Sequence, residues 1–381
     1  MPALQLPPLG LYIHLPWCER KCPYCDFNSH ETGLVPEQAY IDRLLADLEA
    51  DACYTQGRSI ATLFIGGGTP SLFSAAAIAH LMAGIAARVP LADGFEATME
   101  ANPGSAEAEK FAGFRAAGIN RLSIGIQSFQ DTQLQALGRV HSSDQAHAAI
   151  AAAHAAGFQR INLDLMHGLP QQDSTLALAD LATATGHGIS HLSWYQLTIE
   201  QNTVFYTRPP LLPLEDALAD IQDAGEALLA GTDLRQYEVS AWAVPGQQCR
   251  HNLNYWEFGD YLGIGAGAHG KVSFADGRIL RYAKRRQPEA YMAAAPAQMQ
   301  VQPLWLAKRD LPGEYMLNAL RLNAGFQLAD YSARTGLAAD TLQPALDSLL
   351  GRGLLEQEAG QIRATGLGRR FLDTVIAEFL V

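Results

Sequence analysis

Three of the chain's five cysteines, Cys18, Cys22 and Cys25, stand within eight positions in the segment HLPWCERKCPYCDFNSH. Their C-x3-C-x2-C spacing differs from the two ligand pairs that usually build a closed, four-coordinate zinc site. Closely spaced thiolates suit an iron–sulfur cluster, and a four-iron cluster held by three cysteines keeps one iron open to a small molecule. The motif therefore predicts a [4Fe-4S] cluster with an open coordination position. A zinc site completed by His14 or His30 is the alternative.

The elements that must position this loop follow a regular alternation. Six short apolar runs of β-strand character alternate with Ala- and Leu-rich helical patterns through roughly the first 200 residues. Such alternation predicts βαβ units and a parallel sheet. The predicted strands are 11–14, 63–65, 95–100, 121–124, 159–164 and 191–197, and the predicted helices are 36–52, 74–88, 105–116, 142–156 and 174–185, with N-caps Ser74, Ser105, Ser142 and Asp173.

Six such units fit three-quarters of a (β/α)8 barrel better than a complete one, and a doubly wound open sheet is the structural alternative. Polar or Gly-rich residues follow the predicted strands, at 66–70, 100–103, 127–128 and 164–170 as well as in the cysteine loop. In barrels of this kind the carboxyl ends of the strands face the chemistry. The pattern therefore predicts one site built from many strands.

The regular alternation of strand and helix patterns ends after residue 197. A proline-rich entry to a helix and a Gly- and aromatic-rich stretch come first, and helical periodicity returns from about residue 310. The last forty residues or so predict a helix, a short hairpin and a helix, similar to a winged-helix unit. We therefore predict an α/β fold: a partial (β/α)6 TIM-like barrel with a C-terminal α+β extension that ends in a winged-helix-like unit. The predicted domains are 1–235, 236–309 and 310–381.

Composition narrows the class of protein. A formal charge of −12 argues against a nucleic-acid binder, which would need a basic surface. No apolar run reaches the roughly 18 residues of a membrane span, and the first residues lack the pattern of a secretory signal. Five cysteines clustered near one end do not suit a disulfide framework. We expect a cytoplasmic protein that does not bind nucleic acid.

The cysteine motif, followed by FIGGGTPS after the second predicted strand, resembles the radical S-adenosylmethionine (SAM) superfamily. The resemblance implies that the methionine moiety of SAM chelates the open iron, and that an electron from the cluster cleaves the sulfonium to a 5′-deoxyadenosyl radical. Consecutive glycines let backbone approach a ligand closely and present amide groups to it. A carboxylate can accept from an ammonium or ribose hydroxyls, and an arginine can bind a carboxylate with two prongs. The implied SAM contacts are Tyr12, Tyr24, Gly67, Gly68, Thr69, Glu100, Gln127, Arg139 and Asp164.

Further segments, among them MEANPG, RLSIGIQSF, LDLMHGLP and HLSWYQLTIE, resemble the oxygen-independent coproporphyrinogen III oxidase group over nearly the whole chain. Oxidases of this group carry a fourth cysteine, in C-x3-C-x2-C-x-C, and this chain has Phe27 there. Its longest matching stretches resemble the haem chaperones of the same group, which carry an HNxxY motif. The resemblance implies haem as bound cargo, with Cys249, His251, Asn252 and Tyr255 as candidate haem residues.

The implied function is delivery of haem to respiratory haem proteins, with transient contact to a membrane protein and an unidentified electron donor. The alternative is an enzyme that oxidatively decarboxylates the propionates of coproporphyrinogen III to vinyl groups, giving protoporphyrinogen IX. A third reading is a radical SAM enzyme that acts on another substrate. Whether the chain is an enzyme stays open at this point. The basic stretch 278–286 could pair with haem propionates or with an acidic partner, and His269 could contact the substrate or haem at the barrel mouth.

Overall fold

The computed structural model describes residues 4–104 and 108–380. Its strands are β1 (Leu9–Leu15), β2 (Trp17–Cys18), β3 (His30–Glu31), β4 (Ile60–Gly67), β5 (Leu91–Ala101), β6 (Arg121–Gln127), β7 (Ile161–His167), β8 (His191–Gln196), β9 (Arg235–Glu238), β10 (Ala241–Ala243), β11 (Asp260–Ile264), β12 (His269–Ser273), β13 (Ile279–Lys284), β14 (Gln300–Trp305), β15 (Phe326–Gln327), β16 (Leu355–Glu358) and β17 (Gln361–Ala364).

The helices in the described ranges are α1 (Glu37–Asp51), α2 (Ala75–Ala86), α3 (Phe111–Ala116), α4 (Asp131–Ala136), α5 (Ser143–Ala155), α6 (Ser174–Gly186), α7 (Val204–Thr207), α8 (Glu215–Ala230), α9 (Arg250–Trp256), α10 (Pro288–Ala293), α11 (Leu311–Ala319), α12 (Leu328–Thr335), α13 (Ala345–Gly351), α14 (Gly366–Arg370) and α15 (Leu372–Ala377). The longest of them, α8, has 16 residues. None has the length and apolarity that crossing a membrane requires.

Six parallel strands, β1, β4, β5, β6, β7 and β8, pair in that order, which confirms the predicted partial barrel. Their apolar runs are buried beneath the helices because both faces of a parallel sheet are covered. The caps act as predicted: Ser74 accepts from the backbone of α2, Ser142 forms a capping box with Gln145, and Asp173 caps α6. The predicted cap Ser105 lies outside the described residues.

The extension continues the same sheet at both edges. β11 pairs in parallel with β1, and β12, β13 and β14 follow in antiparallel order. At the other edge β10 pairs antiparallel with β8, and β9 follows it. The result is one twelve-stranded sheet. Residues from the predicted extension thus lie beside the strand that leads into the cysteine loop, and the predicted domain boundaries stay predictions.

A buried charged cluster fastens this extension to the barrel. Lys284 on β13 reaches Asp47 at 2.6 Å and Asp51 at 2.7 Å, both on α1. The hydroxyls of Tyr282 and Tyr291 donate to the same two carboxylates, at 3.0 and 2.7 Å. Buried charges are tolerated only where they are paired and hydrogen-bonded, as here. The cluster fixes one face of the extension against α1.

The C-terminal unit has its own core. A three-stranded sheet in the order β15-β17-β16 packs with α11 to α15 around apolar residues that include Tyr315, Tyr331 and Leu349. The order α13, the β16–β17 hairpin, then α14 and α15 agrees with the predicted helix, hairpin and helix.

Candidate functional site

The cysteine loop leaves the end of β1 and is closed at its base by a short pair of strands. Trp17 pairs with His30, and Cys18 pairs with Glu31. Inside the loop the Lys21 ammonium donates to the carbonyl of Phe27 at 3.0 Å, and to one further carbonyl. The chain is thereby folded back on itself so that the three predicted ligands can face one cavity.

Cys18, Cys22 and Cys25 all line a cavity of about 520 Å³ at the carboxyl ends of the barrel strands, and none is in a disulfide. Burial raises the pKa of the Cys18 and Cys25 thiols. Iron coordination overcomes such a shift because a metal-bound thiol loses its proton. The Arg139 guanidinium lies 3.6 Å from Cys22 Sγ and would offset thiolate charge. The residues present fit a cluster held by three cysteines.

The GGG segment ends β4 and passes very close to other backbone. A Cβ on Gly68 would lie 2.4 Å from the carbonyl oxygen of Trp17, and Gly67 adopts a φ of 118° that favours glycine. Contrary to the expectation from sequence, the amides of Gly68 and Thr69 bond backbone carbonyls rather than a ligand. Gly68 N donates to the carbonyl of Leu15 at 2.8 Å, and Thr69 N donates to that of Trp17 at 2.7 Å. The glycines are required here by tight packing of the cysteine loop on β4.

Glu100 stands at the end of β5 on the wall of this cavity. Its Oε2 accepts from the amide of Gly67 at 3.1 Å. Burial raises the pKa of Glu100 to about 8, and the nearby Asp164 carboxyl adds to the shift. A cationic ligand group beside Glu100 would restore its ionised form, which suits an ammonium.

The two terminal nitrogens of Arg139 are already engaged. Nη2 donates to Asn102 Oδ1 and to the carbonyl of Gly125, both at 2.8 Å. Nη1 lies beside Cys22 Sγ. The two-pronged carboxylate contact expected from sequence is therefore not open in this arrangement. Arg139 Nε is buried and has no hydrogen-bond partner among the described residues. Arg139 thus lies at the cavity wall with its guanidinium beside Cys22 and bonded to Asn102 and Gly125.

Asp164 and Gln127 complete the far wall of the cavity. Asp164 accepts from Ser123 Oγ at 2.9 Å and from Asn162 Nδ2 at 2.8 Å. Burial raises its pKa as well. Gln127 ends β6 with a φ of 68°, an uncommon conformation for a side-chain-bearing residue, and its Oε1 accepts from the Tyr195 hydroxyl at 3.0 Å. Strained residues of this kind cluster at binding sites.

Sequence reasoning missed several polar residues of this cavity, among them Asn102, Ser123, Asn162 and Tyr195. Asn102 and Tyr195 belong to the quoted segments MEANPG and HLSWYQLTIE and could have been found there. Ser123 and Asn162 lie within strands, where alternation alone does not show that a side chain faces a binding cavity.

A second cavity of about 920 Å³ lies between the barrel edge and the extension. The structure places Tyr12 in this cavity, apart from the eight other predicted SAM residues, which line the smaller one. The two cavities share part of their walls, through Phe27, Phe64, Gly67, Glu100 and Trp256.

The four candidate haem residues are divided between the cavities. Cys249, His251 and Asn252 line the smaller cavity, and Tyr255 lines the larger one. The His251 ring is buried and stacks on the Phe64 ring, with the two ring centroids 4.2 Å apart. Its Nδ1 lies 3.0 Å from Cys249 Sγ. Burial lowers the pKa of His251 to about 4. His251 is therefore a neutral imidazole with one ring face covered by Phe64.

Comparison with known proteins identifies the fold and the family of this chain. Residues 12–182 match the Radical SAM superfamily, and residues 306–371 match the HemN C-terminal domain. The solved structure of coproporphyrinogen III oxidase (HemN) from Escherichia coli, a radical SAM enzyme, superposes with a TM-score of 0.83 at 22% identity. The match covers 99% of this chain and 91% of that one, and it shows a shared fold. The fold and the site define a radical SAM protein.

Curated relatives narrow the assignment. The chain is 50% identical over 378 residues to a protein from Escherichia coli (strain K12) named Heme chaperone HemW, covering 99% of both chains. It is 46% identical over 381 residues to the protein of the same name from Haemophilus influenzae, again with 99% of each covered. The chain belongs to the HemW family of radical SAM proteins.

Proposed function

We propose that this chain is a haem chaperone built on a radical SAM scaffold, with haem as cargo and respiratory haem proteins as acceptors. The observation that carries the proposal is the 50% identity, over the full length of both chains, to a protein named Heme chaperone HemW. A cytoplasmic location, transient contact with a membrane protein and an unidentified electron donor belong to the same proposal.

A [4Fe-4S] cluster and SAM fit the smaller cavity. Cys18, Cys22 and Cys25 would hold the cluster, which supplies one-electron reducing chemistry when bound. Glu100 would accept from the SAM ammonium, and the guanidinium charge of Arg139 at the cavity wall would attract the SAM carboxylate.

Asp164, Gln127 and Tyr24 would line the rest of the bound nucleoside. Burial raises the pKa of both Glu100 and Asp164, and a cationic ligand beside them would favour their ionised forms.

Phe27 supports the chaperone over the oxidase. Its ring is 60% exposed at the border of both cavities, in the position where the resembling oxidases carry a fourth cysteine. A phenyl ring can neither ligate iron nor donate a proton or hydrogen atom in place of that thiol. The second candidate, an oxygen-independent coproporphyrinogen III oxidase, is favoured by the HemN-like fold.

An anaerobic assay distinguishes these two candidates. Cluster-reconstituted protein is incubated with SAM, a strong reductant and coproporphyrinogen III, and 5′-deoxyadenosine and protoporphyrinogen IX are quantified in the same samples. We expect no protoporphyrinogen above the level of a control without protein. Protoporphyrinogen that forms in step with deoxyadenosine would establish the oxidase and refute the chaperone as the primary function.

Transfer of cargo tests the chaperone directly. Haem-loaded protein is mixed with haem-depleted membranes that contain respiratory haem enzymes, and recovery of respiratory activity is followed over time. We expect respiratory activity to recover faster with the haem-loaded protein than with the same amount of free haem. Liposomes that contain no membrane protein are the control, and we expect them to take up no more haem from the haem-loaded protein than from free haem in buffer. Equal rates with free and protein-bound haem would contradict delivery by this protein.

A further inference from the structure

One face of the extension is turned toward the larger cavity. On β12 and β13, His269 pairs with Ala283 and Lys271 pairs with Arg281, so these four side chains share one face of the sheet. The intervening Tyr282 points to the other face, where it is buried. Strand pairing therefore fixes an imidazole and a guanidinium on the same wall of the larger cavity.

The walls around this face are aromatic. Phe64 belongs to the barrel strand β4, and Tyr255 and Trp256 belong to α9. Tyr255 also packs edge-on against Tyr261 of β11, with ring centroids 4.8 Å apart. Aromatic side chains present flat, apolar surfaces that favour a planar aromatic ligand. A volume of about 920 Å³ lies at the upper end of the roughly 300–1,000 Å³ typical of small-molecule sites.

Two histidines line the larger cavity, and they differ in how their nitrogens are used. The His14 Nε2 donates to the carbonyl of Asn28 at 2.9 Å, and Nδ1 lies 2.7 Å from the Tyr12 hydroxyl, which donates to it. The His269 ring is exposed and makes no hydrogen bond within residues 4–104 and 108–380. His269 is thus the imidazole of this cavity that is free to bind a metal.

Cations stand on the same side as His269. Arg281 lines the cavity and shares its charge with Glu314. Arg286 is exposed at the cavity wall and forms no ion pair with any residue that the structure describes. The carboxylate of Asp26, on the cysteine loop, lines the same cavity and would repel an anionic group. A ligand with an anionic edge would therefore bind with that edge toward Arg281 and Arg286 and away from Asp26.

From this juxtaposition we infer that the larger cavity is the haem site, an inference that rests on the proposed function. The porphyrin ring packs against Phe64 and Tyr255, the imidazole of His269 binds the iron, and Arg281 and Arg286 pair with the propionates. An apolar macrocycle, two carboxylates and an iron with an open axial position are the groups that these walls complement. The site lies beside the smaller cavity and shares Phe27, Phe64, Gly67, Glu100 and Trp256 with it.

Titration of the cluster-reconstituted full chain with haemin, followed by its Soret absorbance, tests this placement. We expect His269→Ala to raise the Kd at least about 10-fold and to change the Soret spectrum. Added imidazole should restore the spectrum in His269→Gly. We expect Arg286→Gln to raise the Kd by roughly 3- to 10-fold. The matched control is Arg278→Gln, because Arg278 is exposed, pairs with Asp276 and does not line the cavity.

The outcomes separate this inference from the function beneath it. If the unmodified protein fails to bind haemin, the proposed function itself fails. If it binds haemin but His269→Ala and Arg286→Gln bind equally well, the placement is wrong and the function stands. Loss of binding in His251→Ala alone would move the iron to the smaller cavity.

Val301→Trp provides an independent test, since it fills the larger cavity from the edge strand β14 without altering any proposed contact. Unchanged haemin affinity in that variant would also overturn the placement. Unchanged cluster absorbance in every variant shows that each one is folded and that the smaller cavity is intact.

Discussion

Cys22→Ser is expected to remove the iron–sulfur cluster from the reconstituted protein while the chain stays folded. A serine hydroxyl stays protonated near neutral pH and is a poor ligand for iron, so two thiolates would have to hold the cluster. Losing groups that merely orient a ligand costs about 10- to 100-fold in metal affinity, and losing a ligand costs at least that much. Iron content and the broad visible absorbance of the cluster, measured after anaerobic reconstitution, check this result.

Cys53→Ser is the matched control for that experiment. Cys53 is exposed, lies just after α1 and does not line the site. We expect its variant to bind iron like the unmodified protein, which excludes a general effect of removing a thiol. A cluster spectrum of full intensity in Cys22→Ser would show that Cys22 is not a ligand.

Glu100→Gln is expected to stabilise the empty protein at high pH and to weaken SAM binding. The folded pKa of Glu100, about 8, lies above its ordinary value of 4.5. A raised carboxyl pKa favours folding below 4.5 and loses that advantage as the pH rises through 8. The glutamine stays neutral at all pH values and keeps an oxygen for the amide of Gly67. At about 1.36 kcal/mol per unit, we expect roughly 2–4 kcal/mol of added stability at pH 9.

Denaturant unfolding of the cluster-free protein at pH 5 and pH 9 measures the difference. We expect the variant and the parent to converge toward pH 5 and to diverge at pH 9. SAM affinity of the reconstituted variant should fall at least about 10-fold, because the carboxylate that meets the ammonium is gone. Glu49→Gln is the control, since Glu49 is exposed on α1, and its stability should change by less than about 0.5 kcal/mol. Equal stability of Glu100→Gln and its parent at pH 9 would contradict a buried, neutral Glu100.

The barrel could be predicted from sequence because its signals are local. Each of the six strands contains a short apolar run, and the N-caps Ser74 and Ser142 of two barrel helices act as the pattern indicates. The cysteine spacing and the polar strand ends, such as Glu100, are also local, and the fold brings them to one edge as parallel topology requires.

Long-range geometry could not be predicted in the same way. Nothing in the sequence near β11 indicates that it pairs in parallel with β1, some 250 positions earlier. The HNxxY spacing puts His251 and Tyr255 one helical turn apart, yet Phe64, from a distant strand, places them at different cavities. The amides of Gly68 and Thr69 face the backbone carbonyls of Leu15 and Trp17 because the chain around the cysteine loop packs closely on β4, a contact that no pattern in FIGGGTPS reveals.

The shared wall between the two cavities has a thermodynamic consequence. Phe27, Phe64 and Glu100 each border both spaces, so a guest on one side sets the position or charge of atoms that the other guest meets. If SAM and haem occupy the two cavities as proposed, linkage requires reciprocity: whatever factor SAM applies to haem affinity, haem must apply to SAM affinity. Occupancy of one cavity would then change the affinity of the other cavity for its ligand. Through these shared side chains, the release of haem would depend on whether SAM is bound.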